Sequence, residues 1–441
     1  MAVIAERYPR LNVVVTDFNA HQLHAWRQNQ IEYEEEGMAE LLHYITHANL
    51  SFNNDVNEAI QDAQMIFIGV EIPIKLFGRR DGFSLWPWIK AIRRIIKEAH
   101  TSKIIVERST MPIDSFDMTT TLLTRRVPPP VQPAVQFVVL SNPDFSSPGA
   151  RLQDLRNPDR VVIGLKSNAG GVLPLRQLYM GLVQNPEEIR IVYAPSAVNV
   201  EIAKLATNAM LSMKLTYINA ISSLCNKTRG ADINIVRQIL GEDYRLDNNY
   251  MIPTLGIGGK ELMKDTLYMK HAFSDVGLDD EAMLFQKVVQ LDVKKRMEFV
   301  QIMLRTMLDL TNRRIAIIGL TYKGQVLDLT RSPAVSICKA LLRERAFLQI
   351  HEPLLDEQRI QRAIGNPNSV YVAHDLIDAC DRAHAAVFFV PMPQVQFNFQ
   401  QIFNVMTPEP GGRYLFMGWH MNVNFDDLRQ MGFLVNVIGK P

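Results

Sequence analysis

The sequence predicts an α/β protein in which two α/β domains flank a helical middle. Three observations point there: apolar runs alternate with helical patterns up to about residue 195, one helical pattern runs unbroken from about Ala197 to Thr228, and the alternation restarts at Arg314. Strands separated by helices argue for parallel, doubly wound sheets. In chain order, Leu11–Asp17 (LNVVVTD) reads as a strand ending in an acid, followed by strands at Gln64–Val70, Lys103–Glu107 and Gln136–Ser141. Helical patterns such as Trp86–His100 lie between them, and Pro128–Pro130 reads as a stiff surface connector. In the middle, Ile202, Leu205, Ala209, Met213, Ile221, Leu224 and Cys225 recur near helical spacing, and Arg229-Gly230 supplies the stop. A helix this long spans between domains or packs on a twin. Beyond it, Ile315–Gly319, Phe347–Glu352, Ala385–Val390 and Arg413–Met417 read as strands, and Pro333–Ala346 as a helix.

With 441 residues, 47% of them hydrophobic and 21% charged, the chain is long enough for two or three cores. A net charge of +1 gives no electrostatic argument for nucleic acid or a membrane surface. No apolar run reaches membrane-spanning length, and the start MAVIAERYPR lacks the basic and apolar regions of a signal peptide. Cys225, Cys338 and Cys380 lie far apart with neither metal nor redox spacing, so the expectation is a reducing cytoplasm and no disulfides. His43 and His47 are one helical turn apart but have no third ligand nearby, and read as a solvated helix face rather than a metal site.

Residues 254–265 form a glycine-rich turn, Thr-Leu-Gly-Ile-Gly-Gly-Lys-Glu-Leu-Met-Lys-Asp. It is no Walker loop, because the first glycine and the Ser/Thr of that motif are absent. Seven further blocks accompany it. Five precede the turn: Asp17-Phe-Asn, Glu107-Arg-Ser-Thr-Met-Pro112, Ser141-Asn-Pro-Asp-Phe145, Asn157-Pro-Asp-Arg160 and Lys204-Leu-Ala-Thr-Asn208. Arg245 stands sixteen residues before Glu261, and Gly319-Leu-Thr-Tyr-Lys323 follows the turn. In this order and spacing the chain resembles the UDP-glucose 6-dehydrogenases along nearly its whole length. The resemblance implies an NAD-binding Rossmann-like domain over 1–195, a central helical dimerisation domain over 196–310 and a C-terminal α/β UDP-binding domain over 311–441. The family reaction oxidises UDP-glucose with two NAD to UDP-glucuronate, through an aldehyde and a cysteine thioester.

Carried over residue by residue, the resemblance assigns Thr110, Asp144, Lys204, Asn208 and Asp265 to catalysis. Asp17 would grip the cofactor ribose, while Arg245, Tyr250, Gly258, Gly259, Tyr322 and Lys323 join Lys204 and Asn208 around a UDP-sugar. The i, i+4 spacing of Lys204 and Asn208 sets both on one helix face. In the family the arginine matched by Arg245 reaches into a neighbouring subunit's site. Departures are as informative. Glu261 occupies the place of the nucleophilic cysteine, and a carboxylate is a far weaker nucleophile toward a carbonyl than a thiolate. Asp144 stands for a glutamate one methylene longer, and a reacting group misplaced by that much costs about a hundredfold. Pro148 replaces a second glutamate, Thr330 takes the place of an arginine with Arg331 one position late, and Trp419-His420 replaces paired arginines. Val70-Glu-Ile-Pro-Ile74 and Val390-Pro-Met depart from the usual motifs as well.

No G-x-G-x-x-G occurs, and MAVIAERYPR reads as the tail of the first Rossmann helix leading straight into the second strand. The expectation is a truncated Rossmann-like domain that binds NAD more weakly by about three orders of magnitude or more. Its first sheet should be defective, with Leu11–Asp17 collapsed onto the neighbours of Gln136–Ser141 or loosely held. The functional expectation is a cytoplasmic, catalytically impaired or inactive homologue. It would form homo-oligomers or hetero-oligomers with an active paralogue. The alternatives are a working dehydrogenase with an altered mechanism, stopping at the aldehyde, and a non-catalytic UDP-sugar-binding or regulatory subunit.

Overall fold

The computed structural model describes residues 1–28, 35, 37–46, 48–73, 84–124, 135–165, 170–324, 326–365, 367–392, 397–410, 412–419, 421 and 423–440. The expectations for His47, Ile74, Pro128–Pro130 and His420 fall outside the described residues. The chain divides into two compact units, residues 1–207 and 208–441.

The first unit runs through α1 (Ala2–Arg7), β1 (Val13–Val15), α2 (Ala20–Arg27), β2 (Leu50–Phe52), β3 (Met65–Ile68), α3 (Trp86–Glu98), β4 (Lys103–Glu107), α4 (Ser115–Thr124), β5 (Phe137–Ser141), β6 (Val161–Gly164) and β7 (Ile191–Ala194), with further helices in the connections. β1 and β2 form a separate parallel ribbon, in register from Val13↔Leu50 to Val15↔Phe52. The other strands form a five-stranded sheet in the order β3-β4-β5-β6-β7. The break between ribbon and sheet agrees with the expected defect, but β1 neither collapses onto the sheet nor lacks a partner. Ribbon and sheet share one core, in which Val13 and Leu50 meet Val106, Leu140 and Ile163 beside Val3 and Ala5 of α1. Nor is the sheet wholly parallel, since β5 meets β6 antiparallel at Ser141↔Gly164. Gly164 is needed at that join, because a Cβ there would lie 2.8 Å from Val200 Cγ2 and 2.9 Å from Ala197 Cα.

The long helix α5 (Ala197–Cys225) carries the unit boundary. It ends three residues before the expected Thr228, and the last turn is taken up by i→i+3 bonds such as Thr228 N–H to Cys225 C=O. After it come α6 (Ile233–Gly241), α7 (Glu261–Asp275) and α8 (Asp279–Met307). An α/β sheet follows, made of β8 (Arg314–Ile318), α9 (Pro333–Arg343), β9 (Phe347–His351), β10 (Val370–Val372), β11 (Ala385–Phe388), β12 (Arg413–Met417) and β13 (Phe433–Val437). Every pair is parallel, in the order β10-β9-β8-β11-β12-β13. Counted within the domain that is 3-2-1-4-5-6, the order of dinucleotide folds. Alternation along the central strands builds two cores. Ile315, Ile317, Ala385 and Val387 face one layer, Ala316, Ile318, Ala386 and Phe388 the other.

α5 buries polar residues among its apolar ones, Val200, Leu205, Ala209, Ile218 and Cys225. Its buried positions include Glu201, Lys204, Asn208, Ser212, Thr216, Asn219 and Ser222, whereas Ile202, Met210, Tyr217 and Leu224 are exposed. A buried polar stripe and an exposed apolar one are the informative departures from ordinary helix patterning.

Candidate functional site

Within residues 208–441, the glycine-rich turn is fixed at every step between α5 and α7. Asn219 on α5 accepts the Thr254 N–H at 2.7 Å. Leu255 enters the core beneath β12, where a Cβ on Gly418 would lie 2.4 Å from its Cδ1. Gly256 adopts φ +144°, and a Cβ there would lie 2.8 Å from Asp292 Oδ1 and 3.0 Å from Arg296 Nε. Asp292 accepts the Ile257 N–H at 2.5 Å, and Arg296 donates to the Ile257 carbonyl at 2.8 Å. Gly258 faces Tyr322, whose Cβ would lie 2.2 Å from a Cβ at 258. Gly259 (φ +80°) donates to the Thr330 carbonyl at 2.9 Å. The structure thus brings Gly258, Gly259 and Tyr322 together as expected. Lys323 is exposed on the same loop.

The turn delivers Glu261 as the first residue of α7, half-buried. One turn further on, Asp265 is fully buried. Its Oδ2 accepts from Asn208 Nδ2 at 2.6 Å, and its Oδ1 lies 3.0 Å from Lys264 Nζ. Asn208 and Asp265, assigned separately from sequence, are therefore one hydrogen-bonded pair. Tyr250 is half-buried in left-handed backbone at φ 62°. Arg245 stands apart from this group. It is largely exposed and folds back onto Asp243, with Nη2 2.5 Å from Oδ2.

Within residues 1–207, Asp144 does not stand as an unengaged base. Arg108 Nη2 donates to its Oδ1 at 3.0 Å, and the Ser146 amide and hydroxyl donate at 3.1 and 2.8 Å. Burial opposes its ionisation, but Arg108, Ser146 and Lys204 outweigh that and hold the carboxyl below its usual range. Lys204 is buried on α5, with Nζ 5.1 Å from the Phe145 ring centre, and Arg160 lies over the same ring at 4.5 Å. Arg108, Asn142, Asp144, Phe145, Arg160 and Tyr179 line a cleft of about 150 Å³. Thr110 lies half-buried on the loop leaving β4. That loop is pinned by Ser109 Oγ, which donates to the Val70 carbonyl at 2.7 Å.

At three places where backbone amides could meet an NAD pyrophosphate, the protein's own side chains already accept from them. At the end of β1, Asp17 is exposed and accepts the Asn19 N–H at 2.8 Å. Asn19 in turn caps α2 by accepting from His21 and Gln22. At the head of α4, the Glu201 carboxyl group takes the amides of Asp114 and Phe116 at 2.8 and 2.7 Å. In the second unit the amides of Leu320 and Thr321, just after β8, are taken by Glu352 at 2.8 and 3.2 Å. Asp17 therefore has a turn role in this structure, and no chemical step is derived through NAD.

Three regions of the chain match models of one family. Residues 1–183 match the NAD binding domain of the UDP-glucose/GDP-mannose dehydrogenase family, 198–293 its central domain and 316–413 its UDP binding domain. The chain belongs to that family. It is 31% identical over 467 aligned residues to UDP-glucose 6-dehydrogenase 3 of Arabidopsis thaliana, covering 100% of this chain and 94% of the relative. Against UDP-glucose 6-dehydrogenase 1 of Glycine max the identity is 30%, with the same coverage. The fold is shared with a UDP-glucose dehydrogenase from Pyrobaculum islandicum (TM-score 0.83, 22% identity, 100% of this chain and 95% of that one). It is shared too with a UDP-D-ManNAc dehydrogenase from Pyrococcus horikoshii (TM-score 0.80, 18% identity, 99% and 96%).

Sequence reasoning missed Asp292, Arg296, Asn219 and Glu201. The first two form an i, i+4 pair on a long charged helix, a pattern that ordinarily marks a solvated face. Asn219 and Glu201 lie on α5, where the apolar periodicity drew the reading. All three cysteines are buried and unpaired, and no helix among the described residues is long and apolar enough to cross a membrane.

Proposed function

We propose that the protein is a UDP-sugar-binding member of the family that does not complete oxidation to the uronate. The observation that carries this reading is Glu261 at the head of α7, behind a glycine turn that is still fixed in place. A thiolate there can add to an aldehyde and leave as a thioester, whereas a carboxylate is too weak a nucleophile for the first step. The sugar-facing partners are kept, with Asn208 paired to Asp265 and Tyr322 against Gly258. The side chains of Asn19 and Glu201 on the amides at the heads of α2 and α4 support weakened NAD binding. The buried free thiols fit a reducing cytoplasm.

Self-association is part of the proposal. The exposed residues Met210, Tyr217 and Leu224 recur at heptad spacing on α5, and Ile235 and Ile239 are exposed on α6. Exposed apolar residues of this kind support a contact with another subunit, either a second copy or an active paralogue. Arg245, solvent-facing near that surface in sequence, would then be available to a neighbour's site. Co-expression with an active dehydrogenase tests this. Arg245→Ala is expected to change the mixed assembly's activity, and an unchanged activity overturns the trans role.

Calorimetric titration of the purified chain tests the main reading. UDP-glucose is expected to bind, and UDP alone to bind more weakly. Heat of mixing indistinguishable from dilution for both nucleotides overturns it.

A further inference from the structure

Two residues of α8 hold the glycine turn by its backbone alone. Asp292 is buried, with Oδ1 accepting the Ile257 N–H at 2.5 Å and Oδ2 accepting from Arg296 Nη2 at 2.7 Å. Arg296 also donates to the Ile257 carbonyl at 2.8 Å, and its Nη1 donates to Ser336 Oγ on α9 at 3.0 Å. The pair therefore grips both polar groups of one loop residue and ties them to the sheet domain. Gly256 beside it has backbone that only glycine adopts readily and no room for a side chain. Next to Gly259, the Thr330 carbonyl supplies the second fixed point.

We propose that Asp292 and Arg296 are positioning residues: by holding the N–H and C=O of Ile257 they preform the 254–260 turn and so set the affinity for a nucleotide sugar that neither of them touches. This rests on the reading that the turn faces a UDP-sugar. A buried ion pair is poor evidence of stabilisation for its own sake, because well-packed apolar residues of similar volume serve as well or better. What apolar residues cannot do is bond to a loop amide and its carbonyl. The order of the pair matters too, since the N–H requires the carboxylate and the C=O requires the guanidinium. A turn already in its bound form loses less conformational freedom on binding.

The test uses hydrogen exchange without nucleotide, alongside titration of the full chain with UDP-glucose. Asp292→Ala is expected to expose the Ile257 and Gly259 amides while the Ile317 amide in β8 keeps its protection. UDP-glucose affinity should fall by about tenfold or more. Asp292→Asn keeps the acceptor and the volume, so it should retain the fold and lose only part of the protection. The double exchange Asp292→Arg with Arg296→Asp restores an ion pair with its order reversed, and is expected to leave the turn unprotected. The inference is overturned if Asp292→Ala leaves Ile257 as protected as in the wild type, or if the reversed pair restores protection. Wild-type protein whose turn is protected but which binds no UDP-glucose overturns instead the reading of the turn as a nucleotide-sugar site, and with it the effect on affinity.

Discussion

Asp265 shows most directly what this chain has kept. A fully buried carboxylate is expensive unless its oxygens are occupied, and here Asn208 and Lys264 occupy them. Removing it strands the Asn208 amide in the interior. Asp265→Ala is therefore expected to lower unfolding free energy by about 2–4 kcal/mol, and Asp265→Asn by roughly half as much. Urea denaturation of both variants checks this, and equal losses would deny the role of the accepted hydrogen bond. Glu261 makes the contrast, half-buried and without a comparable set of partners in a place that the family resemblance gives to a cysteine. Asn208, Asp265, Gly258 and Tyr322 were singled out in the sequence because ordered blocks carried them, and the structure pairs Asn208 with Asp265 and sets Tyr322 against Gly258. Asp292 and Arg296 were not, because their role lies in backbone contacts with a loop that is remote in sequence. Asp17 was readable as an acid at a strand end, but only the structure gives its carboxylate to the Asn19 amide.

At the scale of elements, α5 and α4 set the terms. The sequence reading found the long helix by counting apolar residues, yet Ile202 and Leu224 of that count are exposed. Its buried stripe is polar because those side chains serve other elements: Glu201 the head of α4, Asn208 Asp265, and Asn219 the glycine turn. Leu205, Ala209, Ile218 and Cys225 are buried beside them, while Ile202, Met210, Tyr217 and Leu224 face outward. Tyr217→Asp together with Leu224→Asp is accordingly expected to shift the protein to smaller species in light scattering, with the far-ultraviolet dichroism unchanged. No change in mass would remove α5 from the contact. The head of α4 also carries a pH dependence. Burial pushes Glu107 up to about 7 and Glu201 up to about 8, with accepted hydrogen bonds offsetting part of the effect. Both lie above the ordinary 4.5, so the folded state binds the extra protons. The stability they confer is full below about 4.5 and is lost as pH rises through 7 to 8. Unfolding free energy is expected to fall between about pH 4.5 and about 8, and Glu107→Gln to remove part of that slope. A flat profile in the wild type would contradict it.

At the scale of the whole molecule, two α/β units, the second with an all-parallel sheet, carry the family's three matched regions. The second sheet was legible strand by strand, since its central strands are continuous apolar runs buried on both faces. The first was less so: alternation gave its strands, but neither the β1–β2 ribbon nor the antiparallel join at Gly164 follows from local pattern. Both depend on which strand finds which partner through the shared core. Three places where backbone amides could meet a pyrophosphate are engaged by the protein's own Asn19, Glu201 and Glu352. The chain holds the glycine turn and the Asn208–Asp265 pair in place, and on the proposed reading Glu261 stands where the covalent catalyst would be. Product analysis after incubation with UDP-glucose and excess NAD tests this most directly. The expected result is unchanged UDP-glucose and no NADH, for the wild type and for Glu261→Cys alike. UDP-glucuronate formed with two NADH per sugar by the wild-type chain would contradict the account.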